Sequence, residues 1–174
     1  VELFNIELEK EGKPKVGCGI GINTGPTLIG NIGSKDRFAY DVLGDSVSLT
    51  ARLEGQTKNY GVLIIISEAT QSRVGDNYFT LPLDCIAVKG KTIGVNIFTV
   101  FYNPDENVAE EWHSAREHHE LMLQYYREQH WDKAIEMCQE LVGEFYGNMD
   151  HYYEIWIERI AEMRSRGLPA DWDG

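Results

Sequence analysis

Residues 20–55 read IGINTGPTLIGNIGSKDRFAYDVLGDSVSLTARLEG, and the run 62–67, VLIIIS, follows closely. Residues 16–22, VGCGIGI, form an apolar run that predicts a buried strand, and Asn23-Thr24-Gly25-Pro26 then supplies turn chemistry. Residues 27–32 and 37–43 predict two short strands joined across Gly33-Ser34-Lys35-Asp36, a polar hairpin turn. From Asp45, placed as the N-cap, Val47, Leu49, Ala51 and Leu53 recur among polar residues until Gly61, which predicts a helix closed by a glycine. The β-branched run 62–67 suits a strand buried on both faces, and a short helix follows it.

Outward from this block, residues 79–88 and 96–101 predict strands flanking Lys89-Gly90-Lys91-Thr92, a tight basic turn. Strands and helix alternate, so residues 1–103 are of mixed α/β class. Beyond Asn103-Pro104 the β signal ends. Trp131, Ala134, Ile135, Cys138, Leu141, Val142 and Phe145 recur at helical steps, as do Tyr152, Ile155, Trp156, Ile160 and Met163. Residues 104–174 are therefore expected to be an acidic, all-α extension of two or three amphipathic helices. The spacing of Tyr125, Tyr126, Trp131 and Ala134 is similar to one tetratricopeptide unit, but a single copy does not make an array.

With 174 residues the chain has room for one domain, or for a domain and an extension. It is 43% hydrophobic and 25% charged, within the soluble globular range, and no apolar run reaches the length of a membrane span. The net charge of −12 is uneven. Residues 1–103 carry 10 Lys and Arg against 11 Asp and Glu, whereas residues 104–174 carry 6 against 17. Such an acidic balance repels phosphate backbones and anionic lipid, which argues against nucleic acid or a membrane surface as the main partner. Cys18, Cys85 and Cys138 are too few and scattered for a disulfide framework, so a cytoplasmic setting is expected. A chain that opens on Val1 with no signal peptide is expected to be cut from a longer protein.

The glycines at 17, 19, 21 and 25 do not make a dinucleotide fingerprint, because that motif opens a helix and this segment continues as strand. Close packing of strands at glycine is the expected reading. Residues 20–55, the run VLIIISEAT and the turn Ala87-Val88-Lys89-Gly90-Lys91 together resemble the C-terminal half of the class III adenylate and guanylate cyclase catalytic domain, over about residues 16–101. The resemblance implies a partial ferredoxin-like sandwich for residues 1–103. It also implies an activity in which a 3′-hydroxyl attacks the α-phosphate of a nucleoside triphosphate, pyrophosphate leaves and two metal ions clamp the phosphates.

By that resemblance Asp41 reads the purine, accepting from the adenine amino group and repelling a guanine carbonyl, so ATP is favoured over GTP. Arg52 stabilises charge growing on the α-phosphate. Lys89 binds the triphosphate as a mobile point charge. Ser48 stands where relatives place an asparagine that orients the ribose, and Gly19 where many carry an arginine. Both departures leave open a non-catalytic nucleotide-binding or regulatory homologue. The family's metal aspartates, which hold Mg or Mn, and its adenine-reading lysine belong to the half of the domain that precedes this segment. Asp36, Asp41 and Asp45 lack the clustering that hard cations need. The chain alone is thus expected to be an inactive fragment of an adenylate cyclase. The parent protein is expected to be bacterial, homodimeric with sites at the subunit interface, and cytoplasmic or the cytoplasmic part of a membrane-anchored receptor. His113, His118 and His119 lack the spacing of a helical metal pair and are expected to be solvated. Trp112, Trp131 and Trp156 are expected in a core or an oligomer contact. Trp172, in the closing Asp171-Trp172-Asp173-Gly174, is similar to the ends of bacterial cyclases that carry a helical tail.

Overall fold

Of the run 62–67 only Ile64–Ser67 becomes a strand, inside the sheet, and Leu63, expected to be buried, is 56% exposed. In a computed structural model that describes residues 2–34, 37–87, 94–101, 106–168 and 172, the chain begins with helix α1 (Glu2–Lys10) and strand β1 (Ile20–Ile22). Strands β2 (Leu28–Ser34) and β3 (Arg37–Leu43) form an antiparallel hairpin in register from Leu28 opposite Leu43 to Ser34 opposite Arg37. Helix α2 (Asp45–Tyr60), strand β4 (Ile64–Ser67), helix α3 (Glu68–Val74), strand β5 (Phe79–Ala87) and strand β6 (Gly94–Phe101) complete the α/β part. The main sheet has the order β1-β4-β6-β5, with β1 parallel to β4 and the other pairs antiparallel. A parallel pair needs a crossover, and here the hairpin and α2 supply it.

Ile65 and Ile66 of β4 are fully buried, as a β-branched run between two neighbouring strands requires. The expectation of a buried strand over 16–22 is corrected: only Ile20–Ile22 is strand, and Ile20 and Ile22 are 39% and 42% exposed because β1 is an outer strand of the sheet. The Val16 peptide bonds the Asn5 amide instead, through Val16 N–H to Oδ1 at 2.8 Å and Asn5 Nδ2 to the Val16 carbonyl at 2.9 Å. At α2 a second correction applies, since Gly44 occupies the N-cap position and Asp45 is the first helical residue. With φ of 143° Gly44 takes a backbone that side chains disfavour, and Asp45 acts on the helix dipole rather than as a cap. Gly61 ends the helix at φ 63°, where Val62 N–H reaches back to the Thr57 carbonyl. The polar residues 35–36 and the basic turn at 88–93 lie outside the described residues.

Helices α4 (Glu106–Arg127), α5 (Trp131–Glu140) and α6 (Asp150–Arg166) follow. Their apolar faces share one core with the sheet: Trp112, Met122, Tyr152, Trp156 and Ile160 are buried in the same cluster as Leu53, Ile65, Leu81, Leu83 and Ile97. Trp112 and Trp156 are therefore core residues, Trp131 is partly buried against that core, and Trp172 packs on Tyr126 and Trp131. Each large side chain so buried contributes about 1.5–3 kcal/mol. At Pro82/Asp84 the β5–β6 register shifts, a bulge on a strand whose outer edge has no strand partner, which is also where a proline is tolerated. No helix among the described residues is long and apolar enough to cross a membrane.

Candidate active site

Three of the expected site residues are described, on two adjoining elements. Ser48 and Arg52 stand one helical turn apart on α2, Ser48 exposed and Arg52 half-buried. Arg52 makes no hydrogen bond or ion pair among the described residues, so its guanidinium is available to an anion. Asp41 lies opposite Gly30 in the hairpin, exposed, and its Oδ1 accepts from Val42 N–H at 2.7 Å. Lys89 lies outside the described residues. The structure thus brings Ser48 and Arg52 onto one stripe of α2 and sets Asp41 on the strand that leads into that helix.

What fixes the N-terminal end of α2 was not evident from spacing. Asn23 Nδ2 donates to the Ser46 carbonyl at 3.0 Å, and Thr50 Oγ1 donates to the same carbonyl at 2.9 Å. Thr24 and Thr70 join hydroxyls at 2.9 Å, tying the loop after β1 to α3, whose N-cap Ser67 accepts from Thr70 N–H. Residues 23–26 with Asp45, Ser46, Leu49 and Glu68 line a cleft of about 320 Å³ beside the start of α2. Turn residues Asn23 and Thr24 were visible as turn chemistry, but their partners are distant in sequence.

The glycines act by close approach. A Cβ at Gly21 would run into the α2 backbone at Thr50 and Glu54, and one at Gly19 into the Thr57 side chain. β1 therefore lies flush on α2, as the close-packing reading expects. At Gly19, where many relatives carry an arginine by the resemblance above, a longer side chain would have to pass Thr57 of α2.

Among the described residues no three His, Cys, Asp or Glu side chains gather as a cation site. Asp45 lines the cleft while the Asp41 carboxylate is on the hairpin bonded to its own neighbour's N–H, so the two do not form the paired carboxylates that hard cations need.

One histidine expectation is corrected. His119 is fully buried, not solvated: Nε2 donates to the Pro82 carbonyl at 2.6 Å, and Nδ1 then accepts from Tyr153 OH at 3.0 Å. Burial pulls its pKa down to about 4, against the partial support of the Pro82 carbonyl bond, so the ring is neutral at pH 7. Burial likewise raises the Cys138 thiol to about 12, which makes it an inert core group.

Residues 3–103 match the model of the adenylate and guanylate cyclase catalytic domain. Adenylate cyclase 1 of Rhizobium meliloti (strain 1021) is 33% identical over 100 residues, covering 58% of this chain and 15% of the relative. The adenylate cyclase of Anabaena cylindrica is 34% identical over 99 residues, covering 55% of this chain and 20% of its own. The chain thus spans a fifth or less of these relatives. Among solved structures, the guanylyl cyclase Cya2 superposes with a TM-score of 0.52 at 33% identity, covering 60% of this chain and 52% of that one. The adenylyl cyclase CyaB from P. aeruginosa gives a TM-score of 0.53 at 29% identity, covering 60% and 53%. A family match over more than half of the residues, carried by the same strands and by the helix that bears Ser48 and Arg52, places this chain in the adenylate and guanylate cyclase catalytic-domain family.

Proposed function

We propose that the protein to which this chain belongs is an adenylate cyclase, converting ATP to cyclic AMP and pyrophosphate, with residues 1–103 as the C-terminal half of its catalytic domain and residues 104–174 as a helical extension. Arg52 carries the reading. A guanidinium on a well-anchored helix with no partner among the described residues is set to follow charge as the 3′-oxygen bonds to the α-phosphorus and the bond to pyrophosphate breaks. Ser48, one turn earlier, offers the ribose a hydroxyl, and Lys89 a cation to the triphosphate. Asp41 supports adenine, since its carboxylate accepts from an amino group and repels a carbonyl.

A cytoplasmic homodimer with interfacial sites fits the hairpin. Leu28 and Tyr40 are each 76% exposed, and Ile29 and Leu43 add further apolar surface that a second subunit would cover. By itself the 174-residue chain should be inactive, because its described residues gather no cation site. The deciding experiment assays the full-length protein with ATP and with GTP in parallel, with manganese present. Cyclic AMP formed well ahead of cyclic GTP supports the proposal. Preferred cyclic GTP would reassign the base, and no product from either, with ATP still raising the melting temperature, would establish a nucleotide-binding regulatory homologue.

A further inference from the structure

Three successive residues of the β5 bulge are each held by the helices around them. The Pro82 carbonyl accepts from His119 of α4 at 2.6 Å, and the Leu83 carbonyl accepts from Tyr152 OH of α6 at 2.7 Å. Asp84 Oδ2 accepts from both Tyr60 OH, the last residue of α2, at 2.6 Å, and Arg159 Nη1 of α6 at 3.0 Å. Its Oδ1 takes Cys85 N–H at 2.8 Å, so donors from α2, α6 and β5 itself satisfy one carboxylate. The Asp84 and Arg159 side chains are only 16% and 27% exposed. Arg159 also lies over the rings of Trp156 at 4.4 Å and Tyr60 at 5.4 Å. Beside it Gly61 is pressed so closely on α6 that a Cβ there would stand 2.5 Å from the His151 ring.

A buried ion pair is weak evidence for stability, because an apolar cluster of the same size does as well. What the charges add is a fixed direction. Tyr60 ends the helix that carries Ser48 and Arg52, and Asp84 lies five residues ahead of Lys89 in sequence. We propose that Tyr60, Asp84 and Arg159 are positioning residues: through them the helical extension holds α2 in one register against β5, and so holds Arg52 where the transferring phosphate needs it. This inference rests on the cyclase reading above, and Arg159 is its test because it belongs wholly to the extension.

The experiment compares the full-length protein with Arg159→Met, Arg159→Lys and Tyr60→Phe, and with Cys138→Ser, a buried core variant on α5 that lowers the melting temperature without touching the Tyr60–Asp84–Arg159 group. Steady-state kinetics and hydrogen exchange of the residue 45–61 amides are read together. Loss of the tether should lower kcat by about 10-fold or more with little change in KM, the signature of misplacement rather than lost binding. Arg159→Lys should recover part of the loss, and exchange across α2 should rise in Arg159→Met and Tyr60→Phe but not in Cys138→Ser. Equal kcat loss in Cys138→Ser at a matched drop in melting temperature, or unchanged exchange of α2 in Arg159→Met, overturns the proposal. If the wild-type protein forms no cyclic nucleotide, the cyclase reading fails, and the exchange arm still decides whether Arg159 fixes α2.

Discussion

On the proposed cyclase reading, Arg52 separates a working site from a fold that merely resembles one. Arg52→Ala in the full-length protein should cut kcat about 100- to 1000-fold, the scale of losing one preorganised donor to a developing oxyanion, while melting temperature stays near wild type because Arg52 has no hydrogen-bond or ion-pair partner among the described residues. Ser48→Asn should raise turnover, since a carboxamide reaches further than a hydroxyl on this exposed stripe. His119 makes a prediction about pH. Unfolded, it takes a proton near its ordinary 6.5, and folded it resists until about 4, so between those values the unfolded chain binds more protons. Stability is unaffected by this group above that window and falls as pH drops through it, by up to about 1.4 kcal/mol per pH unit. Urea melts of His119→Gln from pH 7 to pH 4 should show a shallower acid slope. The identities of Asp41, Ser48 and Arg52 could be read in the sequence because they sit within one contiguous block. The burial of His119 could not, because Pro82 and Tyr153, which accept from it and donate to it, lie 37 and 34 residues away.

Element ends show where local rules hold and where they are strained. Helix α4 closes as a Schellman turn, with His130 N–H on the Tyr125 carbonyl and Gln129 N–H on that of Tyr126, yet the left-handed position is Gln129 at φ 62°. Gln129→Gly should therefore stabilise the chain by about 0.5–1 kcal/mol in chemical denaturation, since glycine takes that conformation without cost. Gly61, in the same conformation at the end of α2, has no such latitude. Gly61→Ala should destabilise by about 1–3 kcal/mol, because backbone strain adds to collision with His151. The end of α2 could be predicted from Gly61 alone. Its start could not, because Asp45 and Gly44 suit an N-cap about equally and only the backbone at Gly44 decides between them.

At the scale of the molecule, the sheet and the helical extension bury one another. All four tryptophans lie beyond residue 104, so their fluorescence reports on the extension while far-ultraviolet circular dichroism reports on the whole chain. Because Leu81 and Leu83 of β5 share a core with Trp112, Tyr152 and Trp156, the two signals should move together in a single urea transition. Separate midpoints would mean that the extension folds on its own. On the proposed homodimer the exposed apolar hairpin is the surface a second subunit covers, and sedimentation of a Tyr40→Asp variant should show a weakened dimer.

Sequence alone determined most of the strands and helices of residues 20–67, the helical character beyond residue 104 and which side chains are proposed for phosphate chemistry. Those depend on local periodicity, turn residues and a contiguous block of matching positions. Tertiary structure decided what Gly19 and Gly21 are for, why His119 stays neutral, and that Tyr60, Asp84 and Arg159 meet. Each of these rests on contact between segments tens of residues apart, and no local pattern encodes such a contact before the chain closes on itself.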